Sequence, residues 1–224
     1  MKRIIFATSN EGKMKEIRLI MADSGYEVVS LKEAGISADI EENGTTFEEN
    51  AVIKASAIAK LTGLPVLADD SGLEVDFMDK APGIYSARFL GEDTSYDIKN
   101  NYILDKLKDV PLPQRSARFV CAIALSWPDG TTITKRATIE GYIGYEIRGE
   151  NGFGYDPIFM VPEFDKTTAE LSIEEKNKIS HRAKALMAMK EELLALADNL
   201  EQQVTRNLND DEREQLAMLL LKIL

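Results

Sequence analysis

The chain has 224 residues, of which 44% are hydrophobic and 29% are charged. This balance is that of an ordinary globular protein, and it argues against a disordered or collagen-like chain. The 27 basic and 38 acidic side chains give a net charge of −11. This excess of acid disfavours a nucleic-acid partner, because non-specific binding to nucleic acid depends on cations that displace counterions from the phosphates.

Cysteine and histidine each occur once, as Cys121 and His181. One cysteine cannot form a disulfide within the chain, and the two residues cannot supply the His and Cys ligands typical of zinc sites. Any metal is therefore expected to be a hard cation bound by carboxylates. The sequence has no apolar run of the roughly 18 residues that a membrane span needs, and no signal-peptide pattern. We expect a cytoplasmic protein with no membrane partner.

Predicted elements in the first half of the chain alternate between strand and helix. The apolar periodicity predicts strands at residues 3–8, 27–31 and 65–68, and helices at residues 11–23 and 46–61. Thr46 and Glu49 have the spacing of a capping box, so a structural role is expected for Glu49, and Gly63 is expected to end the second helix. The third strand is expected to run into a turn at residues 69–72.

In the second half, hairpin signals replace this alternation. The pattern predicts helices at residues 95–107 and 173–197, and strands at residues 117–126, 131–148 and 157–161. Asp129 and Gly130 are a hairpin signal between two of these strands. Because βα units are combined with hairpins, the expected fold class is α/β with a mixed sheet. Residues 1–198 form the predicted domain, and residues 199–224 a C-terminal helical extension whose leucine stripe needs a partner surface.

The segment Thr8-Ser9-Asn10-Glu11-Gly12-Lys13 joins the first strand to the first helix. Its amides and hydroxyls would point beyond the end of the strand, where a helix N-terminus attracts phosphate. It is not a Walker loop, because Ala7 replaces the first glycine and Met14 replaces the Ser or Thr that would hold magnesium. A helix cap followed by an exposed lysine is the alternative interpretation, and spacing alone favours neither.

The adjacent carboxylates Asp69 and Asp70 follow an apolar strand. Such neighbours repel each other unless a cation or a proton compensates them. Adjacent strand residues point to opposite faces, so one carboxylate is expected to enter a site while the other bonds nearby amides. A further acidic pair, Glu41 and Glu42, lies in an earlier predicted loop. A metal site is therefore favoured over an Asx-type turn before Gly72.

Glycines alternate with aromatic rings in the segment Gly152-Phe153-Gly154-Tyr155-Asp156-Pro157. This lets the backbone approach a ligand while a ring offers a stacking face, although a turn with core aromatics is the simpler interpretation. Ser180, His181 and Arg182 follow the basic Lys176 and are a weak signal for a binding site by themselves. The chain has no G-x-S-x-G elbow. Together these segments indicate metal-assisted chemistry on a phosphorylated aromatic compound, most simply a nucleotide.

Six segments stand out in chain order: Thr8-Ser9-Asn10 with Lys13, Thr46-Phe47-Glu48-Glu49-Asn50-Ala51, Ala68-Asp69-Asp70-Ser71-Gly72-Leu73, Pro82-Gly83-Ile84-Tyr85-Ser86-Ala87-Arg88, Gly152-Phe153-Gly154-Tyr155-Asp156-Pro157 and Ser180-His181-Arg182. Over residues 1–197 they resemble the inosine triphosphate pyrophosphatase family, whose members are also called dITP/XTP pyrophosphatases. Six motifs in sequence are far more specific than any one of them. Residues after about 198 are outside the resemblance.

The resemblance implies a two-lobed α/β fold around a long mixed β-sheet with flanking helices and a substrate cleft between the lobes. It also implies a homodimer that uses Mg²⁺ to hydrolyse ITP, dITP and XTP to the monophosphate and pyrophosphate. Magnesium would be bound by Glu41 and Asp70, although the choice between Glu41 and Glu42 stays open, and Asp70 would accept the proton of the attacking water. Substrate contacts would come from Thr8, Ser9, Asn10, Lys13, Ser71, Phe153, Gly154, Tyr155, Asp156, Lys176, His181 and Arg182, the last two near the base.

Two alternatives remain at this point. One is a phosphohydrolase of the same fold that prefers a pyrimidine or another modified base, and the other is a nucleotide-binding protein without catalysis. Donors from His181 or Arg182 would favour a 6-oxo purine over adenine, because adenine would leave a buried donor unpaired. The same donors would not reject GTP, since guanine also has a 6-oxo group.

Overall fold

The computed structural model describes residues 2–22, 25–38, 40–206, 208–209, 211–212 and 215. It divides the chain into two compact units, Met1–Met187 and Ala188–Leu224. The described strands and the candidate site both belong to the first unit. The predicted domain boundary between residues 198 and 199 stays a prediction. Most of the helix predicted near residues 210–221 lies outside the described residues.

Seven strands occur in the described part of the chain: β1 Lys2–Phe6, β2 Tyr26–Ser30, β3 Val66–Val75, β4 Ser116–Ser126, β5 Thr132–Ile143, β6 Phe159–Val161 and β7 Lys166–Thr167. They form one sheet in the order β2-β1-β3-β4-β5-β6-β7. β1 is parallel to β2 and β3, whereas the other pairings are antiparallel. The mixed α/β sheet expected from the sequence is confirmed.

The described part of the chain has the helices α1 Glu11–Met21, α2 Phe47–Thr62, α3 Tyr96–Lys106, α4 Ile173–Ile179 and α5 His181–Thr205. The cap expected at the start of α2 is present, because the Thr46 side chain accepts a hydrogen bond from the Glu49 amide. The Glu49 carboxylate accepts bonds from Thr45 rather than completing a capping box. Gly63 ends α2 with φ +69°. None of the helices, within the described residues, is long and apolar enough to cross a membrane.

The turn predicted at residues 69–72 is wrong. β3 continues through these positions because each of them pairs with β4, from Asp69 opposite Ile123 to Gly72 opposite Val120. On its other side β3 pairs with β1 at Val66 and Leu67 alone. The acidic residues therefore lie beyond the end of a neighbouring strand rather than at the end of their own strand.

Two apolar clusters pack on the long strands β3 and β4. The first joins α2 to the start of β3 and includes Ala55, Ile58, Val66, Ala68 and Val120. The second joins the end of β3 to α3 and the later strands and includes Leu73, Ile103, Phe119, Ile143 and Phe159. Because both clusters share β3 and β4, they correspond to the two lobes expected for this α/β fold.

Candidate active site

A cavity of about 410 Å³ lies beyond the end of β1. The catalytic and substrate-binding residues expected from the sequence all line it: Thr8, Ser9, Asn10, Lys13, Asp70, Ser71, Phe153, Gly154, Tyr155, Asp156, Lys176, His181 and Arg182. Glu42 also lines the cavity, whereas Glu41 is exposed. Segments that are far apart in the sequence thus meet in one place.

The turn after β1 is organised by its own polar side chains. The Asn10 carboxamide caps α1 by accepting a hydrogen bond from the Lys13 amide at 3.0 Å. The Thr8 hydroxyl accepts a bond from the Asn10 amide at 3.2 Å. The helix cap is confirmed, whereas the exposed lysine is wrong, because Lys13 is only 17% exposed and pairs with Asp69. The segment also lines the cavity at a helix N-terminus, where anions are attracted, and phosphate binding there stays a prediction.

Asp69 is fully enclosed by cations and a hydroxyl. Its carboxylate lies 3.0 Å from Lys13 Nζ and 3.4 Å from Arg182 Nε, and it accepts a 2.6 Å hydrogen bond from the Ser71 hydroxyl. Burial opposes its ionisation, but Lys13 and Arg182 outweigh that effect and hold the pKa of Asp69 well below its ordinary value. Asp69 is therefore an ionised structural partner of the cations.

Asp70 points to the opposite face of β3, as the alternation of strand residues requires. Its Oδ2 atom accepts a hydrogen bond from Asn50 Nδ2 at 3.2 Å, and its Oδ1 atom lies 3.6 Å from Lys54 Nζ. Burial raises the pKa of Asp70 above its ordinary value, and the nearby Lys54 and Lys13 oppose this shift without cancelling it. Asp70 is thus the carboxylate of the pair that is available to accept a proton.

A buried ionic network connects α1 to α4, to the start of α5 and to the loop before β6. Glu16 on α1 contacts Lys176 Nζ at 2.9 Å and also pairs with Arg182. Lys176 in turn lies 2.7 Å from the Asp156 carboxylate. Burial opposes ionisation of Glu16, but Arg182 and Lys176 together lower its pKa below the ordinary value. These pairs fix the positions of two cations that line the cavity.

The Phe153 ring packs against the cations of this network. Lys176 Nζ lies 5.0 Å from the ring centroid, and Arg182 Cζ lies 5.7 Å from it, both distances typical of cation–π contacts. A Cβ atom at Gly12 would lie 2.8 Å from the ring. Glycine at this position therefore lets Phe153 approach the segment of residues 8–13 that joins β1 to α1. One ring is thereby placed between the turn and the cations.

His181 stacks on Phe119, with ring centroids 5.0 Å apart and planes 15° apart. Its Nδ1 atom is buried and makes no hydrogen bond with the described residues. Burial, with smaller contributions from Arg182 and Lys176, lowers the pKa of His181 well below its ordinary value. The ring is therefore neutral at pH 7.

Three further residues at or beside the cavity were given no role in the sequence analysis: Glu16, Asn50 and Lys54. Asn50 and Lys54 lie one helical turn apart on α2, and Glu16 follows Lys13 by three residues on α1. Glu16 shares a face of α1 with Lys13, and Asn50 and Lys54 share a face of α2 with its capping residue Thr46. That shared face is the signal that could have revealed them.

Magnesium fits the oxygen ligands of this cavity. Mg²⁺ is commonly held by one or two carboxylates together with substrate phosphates and water. Asp70 and Glu42 provide such a pair, because the ammonium of Lys54 contacts both of them. No group of three or more His, Cys, Asp and Glu side chains suited to a metal occurs among the described residues. The donor set therefore suits a metal shared with a phosphorylated substrate rather than a closed protein site.

Comparisons with known proteins agree with this arrangement. The Ham1 family pattern matches residues 4–192. A dITP/XTP pyrophosphatase of Bacillus licheniformis is 54% identical over 83% of this chain and 95% of its own length, and one of Exiguobacterium sibiricum is 52% identical over 82% and 93%. The structure of the Staphylococcus aureus Ham1 protein, 45% identical, superposes with a TM-score of 0.77 over 87% of this chain and 99% of its own. A HAM1 protein from Coxiella burnetii, 41% identical, has a TM-score of 0.79 over 87% and 100%. The chain belongs to the Ham1 family.

Proposed function

We propose that this chain hydrolyses the deaminated purine nucleoside triphosphates ITP, dITP and XTP to the monophosphate and pyrophosphate. One observation carries the proposal: a single cavity joins the carboxylate of Asp70, the cation of Lys13 and the ring of Phe153. A triphosphate needs the cation, its hydrolysis needs the carboxylate, and a purine suits the ring. The names of the relatives, dITP/XTP pyrophosphatase, support this substrate class.

In this proposal Asp70 is the general base. It accepts a proton from a water molecule while the water oxygen bonds to the α-phosphorus and the bond to the departing pyrophosphate breaks. The position of Asp70 suits this role, because it lines the same cavity as Lys13 and its Oδ1 atom lies as far as 3.6 Å from Lys54 Nζ. Lys13, beside the N-terminus of α1, binds the triphosphate as a point charge.

Asp70 and a glutamate of the 41–42 loop hold Mg²⁺ in this proposal. The resemblance assigns Glu41, whereas the position of Glu42 in the cavity lining favours Glu42. Bound Mg²⁺ would neutralise phosphate charge and lower the pKa of a bound water. The remaining groups act on the substrate directly, since Thr8, Ser9 and Asn10 bind phosphate oxygens at the helix N-terminus.

The proposal assigns His181 and Arg182 to the base end of the substrate, as the family resemblance implies. In this proposal an N–H of His181 or Arg182 donates to the 6-oxo group of hypoxanthine or xanthine, a position at which adenine carries an amino donor instead. Ser71 and the segment Phe153–Asp156 complete the proposed substrate contacts. The family resemblance further supports a cytoplasmic homodimer, and light scattering would measure the mass of the assembly.

The test is hydrolysis of ITP, XTP, GTP and ATP with and without Mg²⁺, with pyrophosphate resolved from orthophosphate. We expect Mg²⁺-dependent release of pyrophosphate from ITP and XTP, and little turnover of ATP. Release of orthophosphate would contradict attack at the α-phosphorus. Turnover confined to pyrimidine nucleotides would replace the substrate class, and absence of turnover would leave only nucleotide binding.

A further inference from the structure

Lys54 lies between the two carboxylates that the proposed function gives to a metal. Its Nζ atom is 3.0 Å from Glu42 Oε2 and 3.6 Å from Asp70 Oδ1. The side chain is 13% exposed, so most of its stem is buried and its charge is directed into the cavity. One ammonium group therefore contacts the two carboxylates that a divalent cation would otherwise join.

Contacts that do not involve Lys54 hold the Asp70 carboxylate and the main chain at Glu42. The main-chain oxygen of Glu42 accepts a hydrogen bond from Arg88 Nη2 at 3.2 Å. Asp70 is held by the amide of Asn50, which is fully buried and whose own oxygen accepts a bond from the Gly44 amide at 2.9 Å. The Asp70 carboxylate and the main chain that carries Glu42 are thus expected to keep their positions when the lysine is shortened or moves away.

We propose that Lys54 occupies the cation position between Glu42 and Asp70 and competes with the metal until a nucleotide arrives. This inference rests on the proposed function, because the phosphates of the nucleotide provide the alternative partner for the ammonium. A lysine can make this exchange, since its charge is carried by a flexible four-carbon stem with rotatable donors. Metal binding is then weak in the nucleotide-free protein and strengthened by the triphosphate.

The competition predicts an unusual outcome for removal of the charge. A positive charge 3.0 Å from one carboxylate and 3.6 Å from the other opposes the approach of a second cation. Lys54→Met keeps the length of the apolar stem and removes the ammonium, so metal affinity should rise while hydrolysis falls. If Lys54 only supported the fold, or only bound phosphate, its replacement would not strengthen metal binding.

The experiment titrates Mn²⁺ into the nucleotide-free, full-length protein and follows the EPR signal of free Mn²⁺. We expect Lys54→Met and Lys54→Gln to bind Mn²⁺ about tenfold more tightly than the unmodified protein. Lys54→Arg should bind as weakly as the unmodified protein, because it retains the charge. The matched control is Lys60→Met, which removes an exposed lysine of the same helix and should leave the Mn²⁺ affinity unchanged.

A second measurement repeats the titration with the α,β-methylene analogue of ITP, which cannot be cleaved at the proposed bond. The analogue should tighten Mn²⁺ binding in the unmodified protein by a larger factor than in Lys54→Met. Unchanged or weaker Mn²⁺ binding by both uncharged variants would overturn the inference. If the unmodified protein hydrolyses ITP in that case, only the inference fails; if it hydrolyses no triphosphate, the proposed function fails separately.

Discussion

Asp69 and Asp70 are adjacent in the sequence, but their environments differ because a strand sends neighbouring side chains to opposite faces. Asp69 contacts Lys13 and Arg182, which compensate its charge. Asp70 faces α2, where Asn50 and a more distant Lys54 compensate it less. The cations consequently hold the pKa of Asp69 below its ordinary value, while burial raises the pKa of Asp70.

Asp70→Asn should abolish most of the turnover and preserve the fold. Loss of a general base typically costs about 100- to 10,000-fold in rate. Because burial disfavours the charged form of Asp70, a neutral amide there should not lower the melting temperature. The measurement combines ITP hydrolysis with thermal unfolding.

Asp69→Asn is the matched comparison and should show the reverse pattern. It leaves Lys13 and Arg182 without a buried counter-charge, and breaking a buried pair typically costs about 3–5 kcal/mol of folding free energy. We expect a lower melting temperature with more residual turnover than in Asp70→Asn. Near-normal activity in a folded Asp70→Asn protein would contradict the assignment of the general base.

The buried His181 should make stability depend on pH. Its pKa is lowered in the folded protein from an ordinary value of 6.5, so the unfolded chain takes up the proton first as the pH falls. The contribution of the neutral His181 to the free energy of unfolding is fully present above pH 6.5. It is lost as the pH falls below 6.5, by up to about 1.4 kcal/mol per pH unit. His181→Phe keeps a ring against Phe119 and removes the titration. As the pH is lowered from about 7.5 to 5, the melting temperature should therefore fall more steeply for the unmodified protein than for the variant. Parallel curves of melting temperature against pH would contradict a buried neutral histidine.

At the scale of the elements, β3 is approached closely by the loop that contains residues 83–86. A Cβ atom on Gly72 would lie 2.3 Å from the Gly83 carbonyl oxygen and 2.5 Å from Ser86 Oγ. Gly72→Ala should therefore destabilise the protein by at least about 1–3 kcal/mol, the usual cost of overpacking. Gly144→Ala is the control, because its nearest neighbour is the flexible Met160 side chain at 3.2 Å. Equal melting temperatures for the two variants would show that the loop can move away from β3.

The local patterns predicted most elements because strands and helices here follow their own periodicities. α2, for example, begins after Thr46 and ends at Gly63 as its sequence signals require. The turn predicted at residues 69–72 failed for a physical reason. Its composition favours a turn, but pairing with β4, which is distant in sequence, stabilises an extended conformation. Such long-range pairing cannot be read from a local window.

For the candidate site as well, local sequence features predicted some of the residues and missed others. Motif residues such as Lys13 and Asp70 are unusual in their local context, and the resemblance placed them together. Glu16, Asn50 and Lys54 have the polar character of ordinary helix residues. Their importance arises only when packing removes them from water and sets them beside residues of other elements. Tertiary burial, rather than residue type, distinguishes them.

At the scale of the whole molecule, the overall charge and the charge of the cavity differ in sign. The protein carries a net charge of −11, yet basic side chains outnumber carboxylates in the cavity lining. The basic side chains of the lining are Lys13, Lys54, Arg88, Lys176 and Arg182. A small anion can be attracted by such a focused group even though the surface as a whole repels it. The acidic composition therefore agrees with a small phosphorylated substrate and disfavours a nucleic-acid polymer.

The C-terminal segment should be dispensable for catalysis. The cavity lining ends at Arg182, and the family match ends at residue 192. The curated relatives are matched over 92–97% of their own length, and these matches cover only 82–86% of this chain. Truncation after Asn199 should therefore retain most ITP hydrolysis, measured per folded protein. Loss of turnover in a folded truncated protein would place the segment at the active site.

The same truncation should change stability or oligomeric state. The predicted helix, most of which lies outside the described residues, begins with three acidic residues at 210–212, which favour a helix N-terminus. Its apolar stripe consists of Leu216, Leu219, Leu220 and Ile223. A free helix this short is marginal in water, so the stripe is expected to dock on its own domain or on a second subunit.

Thermal melting and light scattering should distinguish the full-length protein from the truncated one. The double substitution Leu216→Glu and Leu220→Glu in the full chain should reproduce the change. Identical melting and mass in all three proteins would show that the stripe has no partner surface.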